Sequence, residues 1–269
     1  MLKKQIKYVL KPMLKSARRI RSEVKGIRYT LDMLLFPEQN NLFCPCCKKK
    51  FRAFAEGEYI NIPDKVDVKR YINVRQDLVC PFCGSIPRHR ILASWFEENK
   101  TMIKPSNILY FAPEKSMLLW MDRNKIEYTT ADLYESADLK LDLQDTKLPD
   151  NSIDLVICNH VLEHVDDFRK AIREVHRILR SGGSFICSFP MDPQVELVDE
   201  DVTVQTNEER IERFGQFDHK RVFGMQADEL LKEAGFKVEK ISGEFYPDEI
   251  LPVVGPANYD MNILFRCVK

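Results

Sequence analysis

Long apolar runs are missing from this chain. No stretch of its 269 residues approaches the roughly 18 consecutive apolar residues of a membrane-crossing helix. The N-terminus lacks the uninterrupted apolar core of a secretory signal, because Lys7 and Lys11 break it, so the expected compartment is the cytoplasm. Net charge is absent too, since 41 Lys and Arg balance 41 Asp and Glu. The sequence has no internal repeat and no low-complexity tract. Eight cysteines in a chain this long do not make a disulfide scaffold. What is present suffices for a folded protein: hydrophobic residues at 44% can build a full core, and charged residues at 30% are ordinary for a soluble chain. The length allows one large domain with a small appendage.

Three blocks emerge from the distribution of residue types. Residues 1–40 carry a basic segment, with ten Lys or Arg against the single acid Glu23 in residues 1–30. Ile6, Val9, Leu10, Met13 and Leu14 recur there at near-helical spacing. Two readings stay open for it: an amphipathic helix on an anionic membrane surface or partner, or a solvated helix packed on the cysteine-rich block. Residues 41–95 hold those clustered cysteines and short strand-like pieces such as Tyr59–Ile62. Residues 96–269 alternate strands with helices, the pattern of an α/β sheet protein.

Cys44-Pro-Cys46-Cys47 and Cys80-Pro-Phe-Cys83-Gly84 stand 32 residues apart. Each pair fits a knuckle whose tight turn aims two thiolates at one ion, and two knuckles give the closed tetrahedral set of a structural zinc. Cys44, Cys47, Cys80 and Cys83 are the expected Zn2+ ligands of a small zinc ribbon. Cys46 competes for a place, but only Cys47 keeps the two-residue gap. Buried free thiols or a redox pair explain two knuckles poorly. Cys158, Cys187 and Cys267 fall in expected strands as core residues. Pro87-Arg88-His89-Arg90 then opens a helix, either as an anion grip of arginine forks or as a solvated junction.

The stretch Leu148–Pro190 reads as one βαβ unit. Ile153–Cys158 is a nearly continuous apolar run, as expected of a strand buried on both faces. Phe168, Ala171, Ile172, Val175, Ile178 and Leu179 recur at helical spacing. Ser181-Gly182-Gly183 is placed to cap that helix, and Ser184–Phe189 is the next strand. Ile108–Ala112, Tyr128–Ala131 and Leu139–Leu143 supply three earlier strands, with a helix over Lys115–Arg123. A helix over Gln226–Ala234 and strands over Lys237–Ile241 and Asn262–Val268 complete the pattern. Ligands of open α/β sheets sit beyond the carboxyl ends of the strands, where Asn159, His160, Glu163 and His164 fall here. His160, Glu163 and His164, at i, i+3 and i+4, suit a metal or base cluster, or a structural one.

Asp145 with Leu148-Pro149, Asp154–Val156, Leu162–Val165 and Arg177–Gly183 together resemble the post-motif region of class I S-adenosylmethionine-dependent methyltransferases of the type 11 group. The resemblance covers residues 41–269 and implies a doubly wound, mostly parallel seven-stranded sheet of order 3-2-1-4-5-7-6. It implies S-adenosylmethionine as cofactor. The family's usual Gly-x-Gly loop after strand 1 is replaced by Ala112-Pro113-Glu114, with Tyr110 where an acid is usual. That loop resembles a bacterial subgroup with an N-terminal cysteine-rich module. In the resemblance Glu114 pairs with the methionine ammonium, or else Pro113 and Glu114 merely start a helix. Asp132, followed by Leu133, ends strand 2 where a carboxylate accepts ribose hydroxyls. Asp142 meets the adenine amino group, Leu143 packs on the ring, and Asn159 and His160 face the methionine part or the acceptor.

Phe214–Gly224 comes after strand 5, where this fold inserts its acceptor loop. There Asp218 is expected to orient His219 as a base, and Arg221 to hold an anionic acceptor, unless the loop only caps the next helix. The expected function is methyl transfer to a small molecule, a sugar or a lipid-linked glycan. Two alternatives remain: an RNA-modifying enzyme guided by the ribbon, and a binding module that keeps the fold without catalysis.

Overall fold

The structure, a computed structural model, describes residues 31, 34–35, 41–55, 79–247, 249–250 and 263–269. The basic segment 1–30 and the strand-like piece Tyr59–Ile62 lie outside the described residues. Among the described residues no helix is long and apolar enough to cross a membrane.

The cysteine-rich part begins with a hairpin of β1 (Leu42–Cys44) and β2 (Lys49–Phe51), which puts Cys46 and Cys47 in its turn. Helix α1 (Pro87–Glu98) comes after the second cysteine pair, and Pro87 takes the first helical position, where its missing N–H costs nothing. A short α2 (Lys100–Ile103) leads into the sheet.

That sheet has seven strands: β3 (Ile108–Phe111), β4 (Thr129–Asp132), β5 (Leu139–Lys140), β6 (Ile153–Asn159), β7 (Leu179–Ser188), and, beyond a small inserted unit, β10 (Lys237–Ser242) and β11 (Ile263–Val268). Their spatial order is β10-β11-β7-β6-β3-β4-β5. Numbered along the chain and read from the other edge, this is the expected 3-2-1-4-5-7-6. β3 to β7 pair in parallel, while β11 inserts antiparallel between β7 and β10. Residues alternate between faces with the period of two that strands impose. Ile108, Tyr110, Leu155, Ile157 and Ile186 join one core; Leu109, Phe111, Val156, Cys158 and Phe185 join the other.

The first core runs without a break from the sheet through Trp120 of α3 (Lys115–Asn124) and Phe96 of α1 to Phe51, Phe54 and the buried cysteines. Helix α1 thus crosses the 95/96 boundary expected between ribbon and sheet. The second core is covered by α4 (Phe168–Ile178), capped by Asp167, whose side chain accepts from Lys170 N at 2.8 Å. Its Phe168, Ile172, Val175 and Ile178 are fully buried, and each large apolar side chain contributes about 1.5–3 kcal/mol.

The helix stop differs from expectation. Helix α4 ends at Ile178 and Leu179 is already extended, so Ser181-Gly182-Gly183 is not its cap. The glycines serve an irregularity inside β7: Ile153 pairs with Leu179 and Leu155 with Ser184, so the intervening residues loop out. Gly182 has φ +78, and a Cβ on Gly183 would meet the Arg180 carbonyl oxygen at 2.8 Å.

After β7 the chain builds its inserted unit from β8 (Val198–Glu200), α5 (Asn207–Phe214) and β9 (Arg221–Phe223), with β8 and β9 antiparallel. Thr206 and Glu209 form a reciprocal capping box that starts α5. Helix α6 (Asp228–Glu233) is shorter at both ends than the expected 226–234.

Candidate functional site

The carboxyl ends of β3, β4 and β6 open on one side of the sheet, as parallel pairing requires. Ala112 leaves β3 with φ +46 and His160 leaves β6 with φ +53. Neither is glycine, and left-handed backbone costs an L-residue about 1–2 kcal/mol. The turn that glycine usually makes after the first strand is therefore made here by alanine, held by its N–H to the Ala131 carbonyl at 2.9 Å. Such strain concentrates where surrounding structure holds a functional geometry.

Glu114 is the centre of that loop. Tyr110 Oη donates to Glu114 Oε2 at 3.1 Å, and Asn159 Nδ2 lies 3.4 Å from the same oxygen. His89 Nε2 sits 2.6 Å from Oε1, and Arg88 reaches Oε1 with Nε at 3.0 Å and Nη2 at 2.8 Å. Burial opposes ionisation of Glu114, but Arg88 and then His89 outweigh it and hold the carboxyl well below the usual carboxylate range. Burial also pushes the His89 imidazole down, toward the neutral form. The Ile86 N–H donates to His89 Nδ1 at 3.2 Å, so the His89 proton sits on Nε2, facing Glu114.

The other expected cofactor residues flank this centre. Asp132 Oδ1 accepts from the N–H groups of Tyr134 and Glu135 at 2.7 and 2.8 Å, and its Oδ2 has no protein partner among the described residues. Leu133 and Pro113 are partly exposed. Asp142 holds the Gln144 N–H at 2.8 Å and its side-chain amide at 3.1 Å. Leu143 is buried in the core beneath the sheet. Asn159 is buried as well, between Glu114 and Ser188, whose hydroxyl donates to Asn159 Oδ1 at 3.0 Å. It holds Glu114 in place.

The expected base and anion grip are not built as the sequence suggested. His219 Nδ1 meets the Phe214 carbonyl at 3.0 Å, and Asp218 lies instead beside His164, with Oδ2 3.5 Å from His164 Nδ1. Asp218 therefore does not orient His219. Arg221 is buried, and Nε donates to Glu200 at 2.8 Å, Nη1 to the carbonyls of Leu162 and Val165 at 2.8 and 2.6 Å, and Nη2 to Glu200 and the Asp166 carbonyl at 2.6 and 2.9 Å. All five N–H groups of the guanidinium are engaged inside the chain, so Arg221 ties the β8–β9 unit to the segment after β6 and holds no acceptor. The anion grip at Arg88-His89-Arg90 also resolves inward. Arg90 is buried, donates to the carbonyls of Ile250 and Ser85 at 2.7 and 2.8 Å, and lies 4.2 Å over the Phe54 ring.

The cysteine cluster is assembled. Cys44 and Cys83 sulfurs are 3.6 Å apart, as are those of Cys47 and Cys80, and all four lie within 4.8 Å of one another. A disulfide needs about 2.05 Å; four sulfurs about 2.3 Å from a tetrahedral zinc stand about 3.8 Å apart. The donor set and spacing fit zinc. Cys46 turns away toward the His89 carbonyl.

Residues 107–187 match a family model, the methyltransferase domain. The matched segment begins one residue before β3 and ends in β7, so it contains Ala112–Glu114, Asp132, Asp142, Asn159 and His160. A probable S-adenosylmethionine-dependent methyltransferase of Mycolicibacterium smegmatis is 31% identical over 104 residues, 39% of this chain and 36% of the relative. A demethylmenaquinone methyltransferase of Listeria monocytogenes is 31% identical over 78 residues, 29% of this chain and 32% of the relative. The chain thus spans about a third of the length of these curated relatives. A solved S-adenosylmethionine-dependent methyltransferase of Mesorhizobium loti aligns with 65% of this chain and 97% of its own at 18% identity and a TM-score of 0.45.

Two features of the methyltransferase-domain segment and its surroundings escaped the sequence. Arg88 and His89 reach Glu114 from outside the segment, and the only local signal was their place at the start of a helix. Glu163 is wholly buried, which an acidic residue between two histidines does not announce.

Proposed function

We propose that the chain is an S-adenosylmethionine-dependent methyltransferase whose acceptor is a small molecule, a sugar or a lipid-linked glycan. The observation that carries this reading is a coincidence in space. The segment that matches the methyltransferase domain brings Glu114, Asp132 and Asn159 to neighbouring strand ends, where open α/β sheets take ligands.

In this reading Asp132 accepts the ribose hydroxyls with Oδ2, while Oδ1 keeps the Tyr134–Glu135 turn. Glu114 stays ionised and faces the ammonium of the methionine part, with Asn159 and Tyr110 fixing its plane. The positive φ of Ala112 turns the chain sharply after β3 with only a methyl group for a side chain. Bound S-adenosylmethionine supplies an electrophilic methyl carbon on a sulfonium. The residues of this chain then have to align an acceptor lone pair with that carbon and exclude water. An acceptor that must lose a proton meets His160, partly exposed at the end of β6.

The choice of a small acceptor over RNA is supported by the arginines. Arg90 is buried and Arg88 engages Glu114, so neither presents the open phosphate contact that an RNA-guided reading requires. Product analysis with a methyl-labelled cofactor against extracted metabolites, lipid-linked sugars and total RNA tests this. Label in the small or lipid fractions supports the reading; salt-sensitive RNA labelling replaces it.

A further inference from the structure

Glu163 is 0% exposed, and neither carboxylate oxygen has a hydrogen-bond partner among the described residues. A buried carboxylate without partners is among the costliest groups a fold can keep, so something of opposite charge has to face it. Three histidines surround it. His160 Nδ1 approaches Oε1 to 3.2 Å, without the alignment of a hydrogen bond, and His164 Nε2 lies 3.8 Å away. Glu163, His164 and His219 each bring one ligand atom to within 4.8 Å of the others.

The two imidazoles are held from behind in the same manner. His164 Nδ1 lies 3.2 Å from the Asp218 carbonyl oxygen, and His219 Nδ1 lies 3.0 Å from the Phe214 carbonyl oxygen. A carbonyl only accepts, so each Nδ1 carries a proton, and the neutral tautomer of each ring has its lone pair on Nε2. Metal-binding histidines typically donate their second ring N–H to a carbonyl or carboxylate, which fixes tautomer and ring plane. The rings meet edge to face with centroids 4.9 Å apart. The Nε2 lone pairs of His164 and His219 then share one pocket with the Glu163 carboxylate, whose nearest ring nitrogen is His160 Nδ1, 3.2 Å from Oε1. A cation at the centre of this set would meet the carboxylate and both lone pairs at once.

We propose that Glu163, His164 and His219 bind a divalent first-row transition-metal ion, separate from the cysteine cluster, with an open coordination position on the side of His160. Two nitrogens and one carboxylate oxygen form a mixed set suited to zinc, iron(II), cobalt(II) or manganese(II). Magnesium and calcium prefer oxygen donors throughout. Arg221 and Lys220 anchor the site: Arg221 clamps the carbonyls of Leu162 and Val165 on either side of Glu163 and His164, and the Lys220 N–H donates to the Glu163 carbonyl at 2.9 Å. The role of the ion in chemistry rests on the methyltransferase reading: an acceptor oxygen at the open position would lose its proton more readily. Binding of the ion does not rest on that reading.

Manganese(II) is the probe, because it favours nitrogen and oxygen ligands and leaves a zinc-filled thiolate cluster alone. The full-length protein, with zinc in its cysteine cluster, is titrated with manganese chloride in the absence of cofactor, and free aqueous ion is read by electron paramagnetic resonance. One ion per chain is expected, displaced by added zinc, as the order of divalent affinities requires. Glu163→Gln and His219→Ala should each weaken binding by at least about 100-fold, the upper range for loss of even an outer-shell partner. His176→Ala, on the far helix α4, should leave it unchanged. Glu163→Gln should also melt no lower than the metal-free wild type, because it removes an uncompensated buried charge. The proposal is overturned if the wild type takes up neither manganese, cobalt nor zinc beyond the cysteine cluster. It is equally overturned if Glu163→Gln lowers the metal-free melting temperature while binding persists, for the cluster is then an ion pair closed by imidazolium. Failure of cofactor binding would leave these readouts untouched.

Discussion

His89 Nε2 meets Glu114 Oε1 at 2.6 Å, joining the helix that leaves the cysteine cluster to the loop that leaves the first strand of the sheet. The contact spans 25 residues of sequence and makes the cysteine-rich part a support of the candidate cofactor loop. His89→Ala should therefore destabilise the protein by about 1.5–3 kcal/mol, the range for a hydrogen bond to a charged group. Urea unfolding checks this. An unchanged midpoint would mean that the two parts merely touch.

The Glu114 carboxylate gives this link a pH dependence of known sign. Its folded pKa is depressed despite burial, because Arg88 and His89 favour the ionised form. The stability it contributes is present above the unfolded carboxyl value, about 4.3, and is lost as pH falls below it toward the folded value. Wild type and Glu114→Gln should differ in unfolding free energy above the unfolded carboxyl value, and the gap should shrink as pH falls below about 4.3. Metal loss from thiolates in acid affects both proteins alike and cancels. A gap that stays level to about pH 3.5, well below the unfolded value, contradicts the assignment.

The cysteine cluster should hold one zinc per chain. X-ray absorption should find four sulfurs at about 2.3 Å, and Cys46→Ser should keep the metal, since that thiol points to the His89 carbonyl. Cys44→Ser and Cys83→Ser should each lose it and melt lower. Full metal retention in either would refute the four-thiolate site.

Arg221 should behave as a strut. Arg221→Ala leaves the carbonyls of Leu162, Val165 and Asp166 and the Glu200 carboxylate without their donors. It should cost at least about 2 kcal/mol. Arg221→Lys should recover little, because one ammonium cannot reproduce a five-donor fork. A side chain that gripped an acceptor would instead raise KM and leave the unfolding midpoint alone.

The contrast between Asp132 and Arg221 shows what the sequence made legible. The strands Ile108–Phe111 and Ile153–Asn159 are legible in their apolar runs, because a strand buried on both faces has few alternatives, whereas strand order and the late antiparallel pair come only from the methyltransferase resemblance. The cysteine spacing carries its own geometry, since one tight turn places two sulfurs. Asp132 falls at a strand end, where its position is set by the element. The partners of Arg221, Asp218 and Glu114 come from segments remote in sequence, and no local pattern encodes which carbonyl or carboxylate a folded chain will bring near. Gly182-Gly183 misled for a related reason: glycine signals a left-handed or crowded backbone, and a bulge in β7 needs it as much as a helix end does.

The central claim is that the glycine-free loop Ala112–Glu114 and the end of β4 hold S-adenosylmethionine. Calorimetric titration of the full-length, zinc-loaded protein with S-adenosylhomocysteine tests it most directly. The account expects one site per chain, weakened about 10- to 100-fold by Asp132→Ala, as loss of a charged hydrogen bond of about 1.5–3 kcal/mol requires. No heat and no thermal shift with millimolar ligand would contradict it.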